Sequence, residues 1–152
     1  MKKIVLTLLF TAFNLVGFSQ DNSNYDEALA KKLGGDERGM KTYVFCILKT
    51  GTNTTATAEE KKKLFEGHMT NISKLADENK LVVAGPFMKN DKNYRGIFIL
   101  NCTSIEEAEK LVNSDPAVQA KIFEADLTLW YGTAALDVIK ETHDKIIKPK
   151  KQ

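Results

Sequence analysis

Two residues in this chain combine a proton-carrying side chain with a setting that suits chemistry. Leu64, Phe65, His68, Met69, Ile72, Leu75 and Ala76 recur at the spacing of one helical face. The imidazole of His68 therefore points into an apolar interior. Imidazole is the side chain that gains and loses a proton near neutral pH. His68 thus reads either as a proton carrier at a ligand site or as a hydrogen-bonded core histidine. Gly67 precedes it in mid-helix, where glycine costs about 1 kcal/mol relative to alanine. The missing side chain leaves room for a ligand beside the ring. Asp115 stands directly before Pro116. That pair is a helix start: the carboxylate caps free backbone N–H groups, and proline takes the first helical position without wasting a donor. A capping carboxylate has a second oxygen, which remains available to a partner.

Other candidates have simpler alternatives beside them. Gly85-Pro86 ends a strand-like run, as turn punctuation or as backbone that approaches a ligand at a pocket edge. Phe87, Trp130 and Tyr43 suit a pocket wall, a core or an interface. Lys89, Lys92 and Arg95 flank a loop and suit an anion or a solvated surface. His143 falls in a tail helix and reads as solvated. Cys46 and Cys102 lie in apolar segments without a neighbouring base, as buried thiols rather than reactive thiolates, with a disulfide as the alternative. Asn53-Thr54-Thr55, Asn71-Ile72-Ser73 and Asn101-Cys102-Thr103 match the glycosylation pattern, the latter two as chance matches in regular structure. No Walker loop, dinucleotide glycine fingerprint, Gly-x-Ser-x-Gly elbow or metal-ligand cluster occurs, so no cofactor and no metal are expected.

The elements that must position these residues follow from local pattern. Tyr25 to Leu33 suits a short helix stopped by Gly34-Gly35. Tyr43 to Leu48 is a strand. Thr57 with Glu60 forms a capping box that opens the His68 helix, which Asn79 stops. Leu81 to Ala84 is a second strand ended by Gly85-Pro86, and Gly96 to Asn101 is a third. Ser104 with Glu107 is another capping box, opening a helix through Val112. Asp115-Pro116 starts a short helix or turn through about Lys121. Ile122 to Tyr131 is a fourth strand, and Leu136 to Ile146 is a C-terminal helix. The order strand, helix, strand, strand, helix, strand is that of an α+β, ferredoxin-like βαββαβ fold: a four-stranded antiparallel sheet with helices on one face. An open face should alternate apolar and polar residues. Strands one to three are apolar at nearly every position, so the second face calls for cover. A homodimer packed sheet on sheet, a dimeric α/β barrel, supplies it.

Composition bounds the rest. The chain has 152 residues, 22 Lys+Arg and 20 Asp+Glu, for a formal charge of +2. Residues 1–19 hold Lys2 and Lys3 and no acidic residue, so the remaining charges cancel. A neutral chain gives no electrostatic case for nucleic acid. Lys2-Lys3, an apolar stretch from Ile4 to Phe18, and small residues Gly17 and Ser19 before Gln20 have the layout of a signal peptide. The stretch falls short of the ~20 residues a spanning helix needs. The mature protein is expected in the periplasm or outside the cell, with no membrane span. The domain organisation expected is a signal peptide at 1–19, an N-terminal extension at 20–40, the domain at 41–133, and a C-terminal helix with a basic tail at 134–152.

Taken together, these pieces resemble the YCII-related (YciI-like) family. The matching features are Glu66-Gly67-His68-Met69, Leu81-Val82-Val83-Ala84-Gly85-Pro86, Ser104-Ile105-Glu106-Glu107-Ala108, Asp115-Pro116, and a final strand ending in Trp130. The resemblance covers about Thr42 to Gly132. It implies a ferredoxin-like dimeric α/β barrel whose active centre is a His/Asp pair, here His68 and Asp115. Beside that pair, Gly85, Pro86, Phe87 and Trp130 are the candidate substrate-binding residues, on their own chemistry as a pocket edge and pocket wall. One relative removes chloride from a chlorinated hydroquinone-type ring, and others are described as hydrolase-like. A carboxylate beside an imidazole fixes its tautomer and orientation, so that the ring can take a proton from one atom and return it to another. That suits lyase, isomerase or dehalogenase chemistry on a small acidic molecule without a cofactor. A non-catalytic dimeric module that binds a small ligand or an envelope partner is the alternative.

Overall fold

The computed structural model describes residues 22–148. The expected signal peptide and the end of the basic tail lie outside that range. A short helix, α1 (Glu27–Leu33), is capped by the Asp26 side chain, which accepts from the Leu29 amide. It ends where Gly34 turns left-handed with φ 69°, a conformation glycine adopts without a Cβ penalty.

The sheet is built from β1 (Met40–Thr50), β2 (Leu81–Pro86), β3 (Tyr94–Leu100) and β4 (Phe123–Thr133). Its order is β2-β3-β1-β4, with every pair antiparallel. Between the strands run α2 (Ala58–Asp77), α3 (Ile105–Val112) and the one-turn α4 (Pro116–Gln119). This is the expected ferredoxin-like arrangement. The boundaries differ for physical reasons. β1 is longer at both ends because it pairs with β4 along its whole length, from Met40 opposite Thr133 to Thr50 opposite Phe123. β2 runs through Gly85-Pro86 instead of stopping before them. It is an edge strand, where the missing proline N–H need not cost a ladder bond. Both halves of the Thr57–Glu60 capping box form. At Ser104 the hydroxyl accepts from the Glu107 amide at 3.2 Å, and the reciprocal half is not made among the described residues.

Val44, Cys46 and Leu48 of β1 alternate with Tyr43, Phe45 and Ile47. The first set packs with Phe98, Leu100 and Phe123 of the neighbouring strands and with Leu75, Ala108, Val112 and Val118 of the helices. Each fully buried Leu, Val or Phe contributes about 1.5–3 kcal/mol. The second set faces the other way, as the two-faced pattern requires. Tyr43 and Ile99 are buried there with Val82, and Phe45, Val83 and Leu136 pack against them.

Leu136 comes from the C-terminal segment, which covers one end of that second face. The segment opens as a 3-10 helix, Ala134–Val138, before α5 (Ile139–Ile146) begins, rather than as one α-helix from Leu136. Side chains of β1 hold the 3-10 turn down. Lys41 Nζ donates to Asp137 Oδ2 at 2.7 Å, and the Tyr43 hydroxyl donates to Thr133 O at 3.0 Å, with Asp137 Oδ1 at 3.2 Å. Burial and the Asp137 charge push the Tyr43 hydroxyl well above its ordinary pKa. Cover is therefore partial: Phe45, Ile47, Val83 and Ile97 stay half-buried, and Trp130 is exposed. No helix among the described residues is long and apolar enough to cross a membrane.

Both cysteines are free and buried. Burial pushes the Cys46 thiol up to about 12 and the Cys102 thiol up to about 11. Raised folded-state values mean that the thiols favour the fold fully below their ordinary value of about 8.5 and lose that contribution as pH climbs beyond it. Native protein at pH 8 should therefore resist a thiol reagent, and both cysteines should react once guanidinium unfolds it. Fast labelling of either in the folded protein would contradict this placement.

Candidate active site

The site is made where α2 meets the loop that opens α4. Asp115 is fully buried and spends its two oxygens on different partners. Oδ1 accepts from the Ala117 amide at 2.8 Å and so caps α4. Oδ2 lies 2.5 Å from His68 Nδ1. A carboxylate only accepts, so the ring proton is on Nδ1 and is donated to Asp115. Nε2 is then the free ring nitrogen. It has no hydrogen-bond partner among the described residues, and it is not one of the fully buried orphan atoms. The His68 side chain keeps 8% exposure. Its ring is enclosed by Phe65 at 5.4 Å, Phe123 at 5.2 Å and Phe98 at 6.0 Å between centroids, with Phe98 stacked at 25°.

Two flanking contacts bring the pair together. The Cβ position of Gly67 is taken by Pro116: a Cβ there would stand 2.6 Å from Pro116 Cγ. One turn beyond His68, the amide of the buried Asn71 meets Ser114 Oγ at 3.0 Å. Ser114 Oγ is also 2.6 Å from Leu111 O. A hydroxyl has one proton, and the shorter contact takes it. The Asn71 amide is then best satisfied with Nδ2 turned toward Ser114 Oγ, which gives that otherwise unpartnered buried donor an acceptor. Ser114, Asp115 and Pro116 thus sit in sequence on Asn71, His68 and Gly67 of α2.

The remaining candidates are elsewhere. Trp130 lies on the second sheet face, 5.9 Å from the Tyr43 ring and 6.4 Å from Phe45, across the sheet from His68. Gly85 and Pro86 belong to the edge strand β2, and Phe87 packs on Tyr94 at 5.7 Å. None of the four makes a hydrogen bond or ring contact with His68 or Asp115. Lys89 and Lys92 are exposed, and Arg95 donates to Thr50 Oγ1 at 2.6 Å. His143 is exposed. The amides of Asn53 and Asn101 donate to Ala120 O and Asn79 O, so all three asparagines of the glycosylation pattern are engaged in the fold. Among the described residues no three His, Cys, Asp or Glu converge on a metal-sized site.

Residues 43–129 match the sequence pattern that defines the YCII-related domain. The chain belongs to the YCII-related domain family. His68 and Asp115 lie inside the matched span, while α1 and the C-terminal helices lie outside it. No curated protein matches the chain significantly. Among solved structures it is similar to 5-chloro-2-hydroxyhydroquinone dehydrochlorinase from Burkholderia phenoliruptrix AC1100, determined in complex with 2,5-dihydroxybenzoquinone. That match has 21% identity and a TM-score of 0.41, and covers 57% of this chain and 92% of the other.

Three features of this YCII-related site escaped sequence reading. Phe98 and Phe123 come from separate strands, and no local signal ties them to His68. Asn71 did carry a signal, since it is a polar residue three positions after His68 on the same helical face. Ser114 is marked only by its place beside Asp115.

The Gly67–Pro116 contact makes a distinguishing forecast. Alanine at position 67 should stabilise α2 by about 1 kcal/mol on helix propensity alone. Its Cβ would instead push Pro116 off the helix, and overpacking of this kind costs about 1–3 kcal/mol. Gly67→Ala should therefore lower the urea midpoint. A variant stabilised by the full propensity gain would show that the two elements are not in contact.

Proposed function

We propose that this chain is a cofactor-independent acid–base enzyme acting on a small molecule, with His68 as the proton carrier and Asp115 as the group that orients it. The observation that carries this reading is the 2.5 Å Nδ1–Oδ2 pair, buried, with Nε2 left without a partner. A core histidine held only for stability would have both ring nitrogens satisfied or sealed. Here the carboxylate selects the tautomer that leaves a lone pair on Nε2, the form that can accept a proton from substrate. Returning that proton to another atom of the same molecule completes a lyase, isomerase or dehalogenase cycle.

Acyl-enzyme hydrolysis has less support. It needs a nucleophile activated beside the base. The two thiols are buried and held protonated, and the Ser114 hydroxyl is committed to Leu111 O and the Asn71 amide.

The matching experiment is a turnover screen on small acidic ring compounds, halogenated phenols included. His68→Asn should cut turnover by about 10²–10⁴, the usual worth of general acid–base catalysis, while keeping the fold. Asp115→Asn should preserve the α4 cap, because asparagine caps as well as aspartate, and still reduce the rate. A folded His68→Asn with unchanged turnover would leave the non-catalytic ligand-binding module as the better reading.

The same proposal places the protein outside the inner membrane, on the layout of residues 1–19, and makes it a homodimer through the second sheet face. The support for the dimer is the half-buried apolar set Phe45, Ile47, Val83 and Ile97, with Trp130 beside it and the 3-10 turn covering only one end. Protein recovered from the periplasm or medium should begin at Gln20 and scatter light as a dimer at micromolar concentration. An intact Met1 would end the export assignment, and a monomer would end the dimer.

A further inference from the structure

Among the described residues, two polar bonds tie α2 to the corner between α3 and α4, and they leave from consecutive residues of that corner. Asp115 Oδ2 accepts from His68 Nδ1, and Ser114 Oγ meets the Asn71 amide. On α2 the two anchor points are one turn apart, so both side chains rise from the same face. One bond between two elements leaves them free to rotate about it. A second bond beside it removes that freedom.

The Ser114 hydroxyl works in two directions. It donates to Leu111 O of α3 at 2.6 Å and accepts from the Asn71 amide at 3.0 Å. Asn71, Ser114 and Leu111 thus form a short relay in which each bond polarises the next. Backbone bonds inside the corner, Ser114 N to Leu111 O at 3.2 Å and Asp115 N to Val112 O at 3.1 Å, carry the placement of Ser114 on to Asp115. On the other side Pro116 rests against Gly67. Asp115 is therefore bracketed by two contacts with α2, one polar and one apolar. For stability alone the polar one is dispensable, because replacing both partners of a buried hydrogen bond by apolar groups is close to neutral. Its effect falls on geometry. Hydrogen bonds weaken steeply off line, and the Asp115 bond is what selects the imidazole tautomer.

We propose that Asn71 is a positioning residue for the His68–Asp115 pair. Acting through Ser114, its amide aims the Asp115 carboxylate at Nδ1 and so keeps the imidazole in the tautomer that leaves Nε2 without a proton. Without that amide the corner turns on α2 and the carboxylate swings off line. The Nε2–H tautomer then becomes populated, and it has no lone pair on Nε2 to take a proton. The catalytic meaning of this placement rests on the acid–base reading above. The tautomer itself is read without any substrate.

The chain has two histidines. In the full-length protein with isotopically labelled rings, two-bond proton–nitrogen correlation spectra show which ring nitrogen carries the proton. Spectra are taken at a pH where both rings are neutral, and His68→Asn assigns the His68 signals. Wild-type His68 should be Nδ1–H, while the exposed His143 shows the mixture of a solvated ring and serves as reference. Asn71→Leu and Ser114→Ala remove the same bond from opposite ends. Each should shift the His68 ratio toward Nε2–H by at least about threefold, a fraction of the contribution of a charge-assisted bond, and leave His143 unchanged. Ser114→Thr keeps the hydroxyl and should keep the wild-type ratio. Ser114 is exposed, so its two variants report even where Asn71→Leu disturbs packing. The positioning role is overturned if wild-type His68 shows the solvated mixture, or if folded Ser114→Ala keeps the wild-type ratio. It is equally overturned if Ser114→Thr shifts the ratio as far as Ser114→Ala does. Turnover of His68→Asn bears on the acid–base reading alone: unchanged turnover beside a shifted tautomer in Ser114→Ala would end that reading and leave the positioning role standing.

Discussion

A carboxylate with no exposure constrains everything around it. Ionised Asp115 cannot remain in the interior unless its oxygens are satisfied, because an uncompensated buried charge costs several kcal/mol. One oxygen is satisfied by its own helix, through the Ala117 amide, and the other by His68. The second bond cannot form unless α2 and α4 approach closely, and at that approach the Cβ position of residue 67 is already taken by the Pro116 ring. The Asn71–Ser114 contact holds the neighbouring turn in the same register. A single buried charge thus links the helix cap, the helix–helix contact and the tautomer of the imidazole. The mid-helix glycine is an element of that contact, and its propensity cost is the expense of bringing the two backbones together.

The sheet divides the molecule into two surfaces with different demands. Toward the helices, Val44, Cys46 and Leu48 fill a core that holds Phe98 and Phe123 rigidly against His68. Away from them, Tyr43, Phe45 and Ile47 carry almost as much apolar surface. The chain covers one end of this face with its own 3-10 turn, fastened by Lys41 and Tyr43 to Asp137. Ile47 and Ile97, farther along the strands from that turn, stay half-buried.

Much of this was legible in order. Capping at Thr57, Ser104 and Asp115 depends on bonds within four residues, so the sequence carries it directly. The period-2 pattern of β1 is likewise local and revealed two apolar faces before any partner strand was known. Boundaries were less legible. Whether β2 continues through Pro86 depends on its being an edge strand, and whether β1 extends to Met40 depends on the length of β4. Those are properties of the neighbours. Of the candidate site residues, the structure brings His68 and Asp115 together and leaves Gly85, Pro86, Phe87 and Trp130 elsewhere. Trp130 belongs to the right strand but to the opposite face, because its pairing with Tyr43 rather than Val44 turns it from the helices.

The sequence by itself determined the order of elements, the helix caps, the two-faced strands and the presence of one interior imidazole and one capping carboxylate. All of these arise from interactions within a few residues of each other. Only the tertiary structure decided that the two groups share a proton-bearing bond, that Pro116 occupies the space beside Gly67, and that three phenylalanines from three elements close over the ring. The first two contacts join residues about fifty positions apart, and their geometry is set by how helices dock on a particular strand register. Local spacing does not encode that register, because a shift of one residue would reverse every side chain on a strand.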